Sequence, residues 1–393
     1  MDQRRVWKAI KRSRAISQRK VNFNSGGRFQ LLVNTPSIVQ EGLHELDMSL
    51  GGNLDARDII PSEDKQRFLV SSLMEEAIAS SQLEGAATTR EVAKQMLESN
   101  RKPRNPSEQM IFNNYAAMQW IVQNKKAWMT EESILQIHRI ITNDTLADKL
   151  EEGVFRTTDD VRIVDVQTGH VLHTPPASAD LAQLMEAFCA FLNDMDKQDF
   201  FLHPISKAII IHFLIGYIHP FADGNGRTAR ALFYWYLIRK GYWLIEYMSV
   251  SRIILGSMAQ YARAYQYTEK DENDLTYFIL YNLKCIQNSL VELRKYIERK
   301  NREKKNILNL LRSTDYNDRQ IGLIQEIMNE KRSVFTVTEV QNKFGVANQT
   351  ARTDLEYLTS KGILQPRKSG NKVQFLLAEG WEKKLIRHVE GGT

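Results

Sequence analysis

An apolar run from Pro204 to Ile218 stops at His219-Pro220, and after Gly224-Asn225-Gly226 a second helical run follows from Arg227 to Lys240. This helix, break and helix limit the possible folds more than any other stretch, because the break places His219 at a helix end where its ring can face a cleft. Gly224-Asn225-Gly226 can take φ > 0, which turns successive backbone N–H groups toward a single anion. The helix that follows adds the positive end of its dipole, so phosphate is the natural guest. Arg227 and Arg230, three apart, share a helix face and suit bidentate bonds to further phosphates. Asp223 is a hard oxygen ligand, suited to Mg²⁺ bridging two phosphates. A plain helix–loop–helix turn would account for any one of these residues taken singly. It does not account for so many specific polar or Gly choices within the segment His219 to Arg230.

The rest of the chain sets the frame. With 393 residues, 42% hydrophobic and 25% charged, it has the composition of a globular protein of two or three domains. Two cysteines, Cys189 and Cys285, make no disulfide framework, and no Cys-x-x-Cys pair is present to hold zinc. No apolar stretch follows the basic N-terminus and none is long enough to span a bilayer, so a cytoplasmic protein that neither is exported nor meets a membrane is expected. The net charge of +6 is compatible with a nucleic-acid partner and equally with none.

Helical periodicity continues from Pro61 to a stop at Gly85, then over Thr89 to Asn100, Ser107 to Asn124, Thr130 to Thr145 and Ser178 to Asn193, with Thr130 as a cap. A mostly helical run extends from Ser251 to Lys305. Before Pro61 the pattern is mixed, with a turn at Asn24 to Gly27 and a short strand near Phe29 to Val33. Val161, Ile163 and Val166 alternate, turn at Gln167-Thr168-Gly169 and resume at Val171, which predicts a β-hairpin among helices.

The segment His219 to Arg230 resembles the signature of the Fic family, His-x-Phe-x-(Asp/Glu)-Gly-Asn-Gly-Arg-x-x-Arg, at every fixed position. The resemblance extends from about Ser71 to about Leu283. It implies a mainly α protein, a Fic-type helical core with a short β-hairpin flap, that moves AMP from ATP to a Ser, Thr or Tyr hydroxyl of a target protein and releases pyrophosphate. Carried over by residue, His219 would be the base, Phe221 the loop anchor and Asp223 the Mg²⁺ ligand. Gly224, Asn225 and Gly226 would cradle the α and β phosphates, and Arg227 and Arg230 the β and γ end. Gly226 favours adenylyl over phosphate transfer, because the Doc-like relatives carry Lys there. The hairpin Val161, Ile163 and Val166 would be the flap that holds a target segment by β-addition, with a purely structural hairpin as the alternative.

Ser80-Ser-Gln-Leu-Glu84-Gly85 is similar to the family's inhibitory motif, (Ser/Thr)-x-x-x-Glu-(Gly/Asn). The resemblance implies that Glu84 pairs with Arg230 and occupies the place of the γ-phosphate. Ser81-x-x-Glu84 also reads as a helix capping box. Many relatives have adjacent tyrosines where this chain has Tyr261-Ala262, which leaves the adenine contact open between Tyr261 or Tyr265 and core packing for either.

Phe335 to Leu377 resembles a winged helix-turn-helix, a small α+β domain, with helices near Asp318 to Lys331, Thr338 to Phe344 and Asn348 to Lys361 and a hairpin across Lys368 to Lys372. Asn348, Gln349, Thr350, Arg352 and Thr353 would face outward to read a groove, and Arg367, Lys368 and Lys372 would meet phosphates. Asp354 and Glu356 dilute that positive charge, so DNA and a protein or dimerisation partner stand as equal alternatives. The expected organisation is an N-terminal region with the inhibitory helix over 1–105, a catalytic core over 106–300 and the winged helix over 306–393. A DNA-binding regulator with a nucleotide-sensing core, or a hydrolase that removes AMP, are the competing functions.

Overall fold

The apolar run Pro204–Ile218 is a single helix in the computed structural model, and Ile209, Ile210 and Ile211 in succession are fully buried. A helix that is apolar on every side must be surrounded, and each isoleucine so buried contributes about 1.5–3 kcal/mol. The chain forms two compact units, Met1–Ala56 with Phe68–Leu293 and Arg57–Arg67 with Arg294–Thr393. The structure describes residues 3–51, 60, 65–164, 169, 171–311, 315–328, 333–369 and 372–390.

In chain order the elements up to the long helix are α1 (Gln3–Ala15), β1 (Arg19–Val21), β2 (Leu31–Val33), α2 (Ser37–Leu50), α3 (Lys65–Leu83), α4 (Arg90–Glu98), α5 (Pro106–Gln123) and α6 (Glu131–Thr142). After these come β3 (Ile163–Val164), β4 (Val171–His173), α7 (Leu181–Leu192), α8 (Pro204–Ile218), α9 (Asn225–Arg239), α10 (Val250–Leu255), α11 (Met258–Lys270) and α12 (Thr276–Leu311). Helices α8 and α9 pack against one another, with α5, α6 and α7 against them. Lys207 of α8 is a buried cation that reaches Asp194 at 2.7 Å, beneath the ring of Phe191. Unpaired, that charge would oppose folding.

The expected helices are present with small shifts at their ends. Thr89, Asn105 and Thr130 cap α4, α5 and α6 by accepting N–H bonds. Pro61 and its neighbours lie outside the described residues, and α3 is described from Lys65. The N-terminal region holds two helices that the mixed reading did not separate. In α2, Val39, Leu43, Leu46 and Leu50 form a buried stripe at helical spacing. In α1 almost everything is exposed, and the helix is held through Lys11 on Asp271 and Arg14 on Asp274. Such a tether lies 260 residues away in sequence, where local periodicity carries no trace of it. β1 and β2 pair antiparallel, Lys20 opposite Leu32.

The second unit contains α13 (Asp318–Met328), β5 (Val334–Thr336), α14 (Val337–Phe344), α15 (Asn348–Ser360), β6 (Leu364–Ser369), β7 (Lys372–Leu377) and α16 (Trp381–Glu390). Its antiparallel sheet has the order β5, β7, β6, with Phe375 of β7 between Phe335 and Pro366. Leu323, Ile324, Phe335, Leu355, Leu358 and Ile363 form its core. Thr336 and Glu339 make a reciprocal capping box at α14, and Gly345 ends that helix at φ 62. This is the expected winged-helix order, with Gly370 and Asn371 of the wing outside the described residues.

Asp354 corrects the sequence reading. It is buried at 2% exposure, where it accepts from Asn317, Gln320 and Arg319 at 2.7–3.0 Å. Its charge is matched internally and does not dilute the outer face of α15. Replacing it with Ala strands the buried Gln320 amide, and a loss of ~1–3 kcal/mol is expected. Hydrogen exchange over 318–328 in the full chain measures it, and unchanged protection of that helix would contradict the anchoring role.

Candidate functional site

The site lies at the break between α8 and α9. His219 ends α8 in the left-handed conformation, φ 50 and ψ 59, with its N–H still bonded to Ile215 O at 2.9 Å. Its Nδ1 faces the carbonyl of Gly216 at 3.2 Å. A carbonyl only accepts, so Nδ1 carries the proton and Nε2 keeps its lone pair. Burial lowers the His219 pKa, with the positive potential of His173 and Arg156 adding to it against the opposing Gly216 contact and Glu84. The ring is therefore held neutral, as a base at neutral pH must be.

Two residues absent from the sequence reading hold this loop. Arg156 donates Nε–H to the His219 carbonyl at 2.9 Å and Nη1–H to Thr158 O at 2.8 Å, and Nη2 donates to Pro176 O. One guanidinium thus joins the loop to both stems of the hairpin. His138 of α6 stacks on Phe221, ring centroids 3.7 Å apart, while Nε2 donates to Asp223 O and Nδ1 accepts from Gly153 N–H. Phe221 is fully buried, as the anchor role requires. Neither residue had a local signal: a single His on an apolar helix and an Arg in a polar loop are ordinary by themselves.

Of the three loop residues Gly224, Asn225 and Gly226, only Gly224 takes positive φ, at 82. A Cβ there would also meet Thr142 Cγ2 at 2.9 Å and His138 Nε2 at 3.0 Å. Helix α9 begins at Asn225, two residues earlier than the sequence suggested. Asn225 spends its side chain on the loop itself, accepting from Phe221 N at 3.0 Å and donating to Phe221 O at 2.8 Å. No side chain caps α9, so the first-turn N–H groups of Asn225, Gly226 and Arg227 have no intrahelical partner and are available to an anion. Gly226 is helical, and its lack of a Cβ serves a different purpose: any Cβ would collide with Glu84 Oε1 and lie 2.9 Å from Glu84 Cδ.

The two arginines are both buried but in opposite circumstances. Arg227 bonds Ile141 O through Nη1 at 3.1 Å, while its Nε and Nη2 have no hydrogen-bond partner. Its nearest acid, Asp223, is 3.6 Å away and its side chain 60% exposed. Burial lowers the Arg227 pKa, and buried donors left unmade are costly, so this side chain is set for an anion. Arg230 is satisfied: Nε donates to Ser80 Oγ at 2.8 Å, and Nη2 donates to Ser80 O at 2.9 Å and Glu84 Oε1 at 2.8 Å. Ser80 and Glu84 thus meet Arg230 of the signature segment. The capping-box alternative does not hold, because Ser81 lies inside α3 with its Oγ on Met110 O and the helix ends at Leu83, before Glu84. Gly85, at φ 93, closes the helix, with Ala86 N–H on Ser81 O.

Tyr261 and Tyr265 of α11 pack against α8. Tyr261 shares a 2.9 Å hydrogen bond with His212, and Tyr265 stacks on Phe213 and fills the space that Gly216 leaves. In the hairpin, Ile163 pairs with His173 and Val164 with Val171, while Val161 and Ile163 are half-buried and Val164 is exposed. Val166 lies outside the described residues. His173 bonds Glu269 at 2.8 Å and Tyr217 O at 2.7 Å, fixing β4 beside the His219 break. Among the described residues no three His, Cys, Asp or Glu form a metal-holding group, so a cation here would rest on Asp223 and on oxygens brought by a ligand. Among them, too, no helix is long and apolar enough to cross a membrane.

Burial and the charge of Arg227 hold His138 neutral, its pKa lowered to about 4 by burial above all. The unfolded chain, with histidine near 6.5, binds that proton more readily, so stability is fully present above pH ~6.5 and falls as pH drops toward 4. His212, lowered by burial to about 3, acts in the same direction. A loss on the order of 3 kcal/mol from His138 is expected. Urea unfolding at pH 7 and pH 4.5 measures it, and His138→Gln should flatten the dependence.

Comparison with known proteins agrees with this geometry. The Fic/DOC family matches residues 128–237 and a DeoR-like helix-turn-helix domain matches 319–371. Proteins named protein adenylyltransferase Fic are 34% identical over 179 residues in Aedes aegypti and 41% over 118 residues in Nematostella vectensis. These stretches are 44% and 30% of this chain, and 32% and 25% of those proteins, so the chain spans a third or less of their length. Among solved structures, a Fic family protein from Desulfovibrio desulfuricans has a TM-score of 0.54 at 18% identity, covering 88% of this chain and 97% of that one. A Fic domain containing signaling protein from Bacteroides thetaiotaomicron has a TM-score of 0.53 at 21% identity, covering 65% and 98%. The signature loop, the helical core around it and these likenesses agree: the chain carries a Fic/DOC domain over residues 128–237 and a DeoR-like helix-turn-helix domain over 319–371.

Proposed function

We propose that the first unit is a protein adenylyltransferase, moving AMP from ATP to a Ser, Thr or Tyr hydroxyl of a target protein. The observation that carries this reading is Arg227, a buried guanidinium with two unmatched donors, beside an uncapped helix N-terminus and a neutral histidine. His219 Nε2 takes the proton of the attacking hydroxyl. That oxygen forms a bond to the α-phosphorus as the bond from the α-phosphorus to the bridging oxygen breaks, and pyrophosphate departs with both electrons. The N–H groups of Asn225, Gly226 and Arg227 face the phosphates, and Arg227 and Arg230 take charge that grows on the leaving group. Asp223 would hold Mg²⁺, which would neutralise phosphate charge. The hairpin edge at Ile163 and Val164 would seat the target chain by main-chain pairing.

In this arrangement Arg230 is occupied by Glu84, which is the autoinhibited form. Glu84→Gly is expected to gain the mass of AMP on itself or a target when incubated with ATP and Mg²⁺, at least roughly tenfold above wild type, an effect of ~1.4 kcal/mol. Glu84→Gly with His219→Ala should gain none. Labelling that persists without His219 would remove the base from its role. The reverse direction would show instead as loss of AMP from a modified target incubated with the wild type, with Glu84 positioning the water.

The second unit is proposed to bind duplex DNA. Asn348, Gln349, Arg352 and Thr353 are exposed on α15, with Thr350 half-buried, and Arg367 and Lys368 are exposed on the wing. Glu356 is the exposed acid of that helix, since Asp354 faces inward. Lys368→Ala should weaken binding across all sequences and reduce the salt slope by about one, whereas Arg352→Ala should cost about 1–3 kcal/mol at one base position. Gel-shift titration at several salt concentrations distinguishes them, and binding without salt dependence would point to a protein partner or a second copy of the chain.

A further inference from the structure

Glu76 is buried at 1% exposure on the inhibitory helix α3, away from the phosphate site, and nothing described above employs it. Its carboxylate is fully occupied. Oε2 accepts from Tyr234 OH at 2.8 Å, from Ser249 Oγ at 3.0 Å and from Ser251 N at 3.1 Å, and Oε1 accepts from Ser251 Oγ. Tyr234 stands one helical turn beyond Arg230 on α9, and Ser80 stands one turn beyond Glu76 on α3. The pairs therefore form a ladder with a four-residue step on each helix. Glu76 meets Tyr234, Ser80 meets Arg230 at 2.8 Å, and Glu84 lies over Gly226.

Four residues of helix advance about 6 Å, so a slip of either helix by a fraction of a turn would lift Glu84 from Arg230. The Glu84 contact alone cannot resist such a slip: it is one ion pair on a side chain 29% exposed, just past the end of α3. The rung eight residues back is buried and has at least four donors on one carboxylate, which gives both direction and strength. Ser80 is the middle rung and touches the same guanidinium that the nucleotide would take. Glu76 touches neither Arg230 nor the loop by hydrogen bond.

We propose that Glu76 is a positioning residue of the brake, setting the register in which Glu84 meets Arg230. This rests on the reading of Glu84 as a brake. The step that Glu76 controls is ATP entry, not chemistry. Cutting its rung from either helix should favour nucleotide binding, while a residue of merely structural value would weaken binding or leave it alone.

The test titrates full-length protein with a fluorescent methylanthraniloyl-ATP and Mg²⁺, with thermal melting as a control for folding. Glu76→Ala cuts the rung from α3. Tyr234→Phe cuts it from α9 with volume conserved. Each is expected to tighten nucleotide binding roughly fivefold or more relative to wild type, within the usual range of coupling between sites. Glu76→Gln keeps an acceptor for Tyr234 and a group that can face Ser251, and should stay near the wild type. Placed on Glu84→Gly, neither Glu76→Ala nor Tyr234→Phe should change affinity by more than about twofold, because the brake they act through is gone. Tight binding by Glu84→Gly with wild-type affinity in both ladder variants would overturn the proposal and leave the brake standing. Equal weakening in both backgrounds would also overturn it, as a structural effect. If Glu84→Gly itself binds no tighter than wild type, the brake reading fails first.

Discussion

A guanidinium excluded from water needs an anion, and Arg230, at 3% exposure, is the place where that requirement organises the first unit. Its burial opposes the charge, while Glu84, Tyr261 and Glu76 favour it. Removing every partner would leave a bare buried charge, which is more costly than exchanging one anion for another. The position therefore calls for an anion, and Glu84 supplies one. Arg227, one turn earlier, lacks such a substitute, and its Nε and Nη2 remain unmatched. The pair thus divides the labour, one cation shielded by the protein's own acid and one left ready.

The glycines illustrate how the same residue type meets two different demands within three positions. Gly224 is required by conformation, because φ 82 and the closeness of His138 leave no room for a side chain. Gly226 has ordinary helical geometry and is required by proximity, since Glu84 occupies the volume a methyl group would need. The first glycine shapes the loop and the second makes room for Glu84.

Much of this was legible in the sequence, for stated reasons. The helices α4 to α9 announced themselves through periodicity and caps such as Thr89 and Thr130, which are local signals. His219, Asp223, Arg227 and Arg230 cluster within twelve residues, so their meeting needed no tertiary knowledge. Glu84 and Arg230, 146 residues apart, were brought together by motif resemblance and could not have been joined by spacing. What stayed hidden were residues whose meaning is wholly tertiary: His138 under Phe221, Arg156 on the His219 carbonyl and Glu76 beneath Tyr234. The buried side of Asp354 was hidden likewise, because an acid on a polar helix reads as solvated until its partners on another helix are known. Of the two N-terminal helices, α1 is held by ion pairs of Lys11 and Arg14 that leave no periodic trace, whereas the buried stripe of α2 is a local signal.

Arg156 has a mechanical meaning beyond its bonds. Its backbone N–H holds Pro220 O, and its side chain holds the His219 carbonyl and the stems on either side of the hairpin. A planar, rigid fork of this kind cannot follow two bodies moving apart. Load applied to the hairpin stems is therefore transmitted, through one residue, to the backbone that carries the His219 ring.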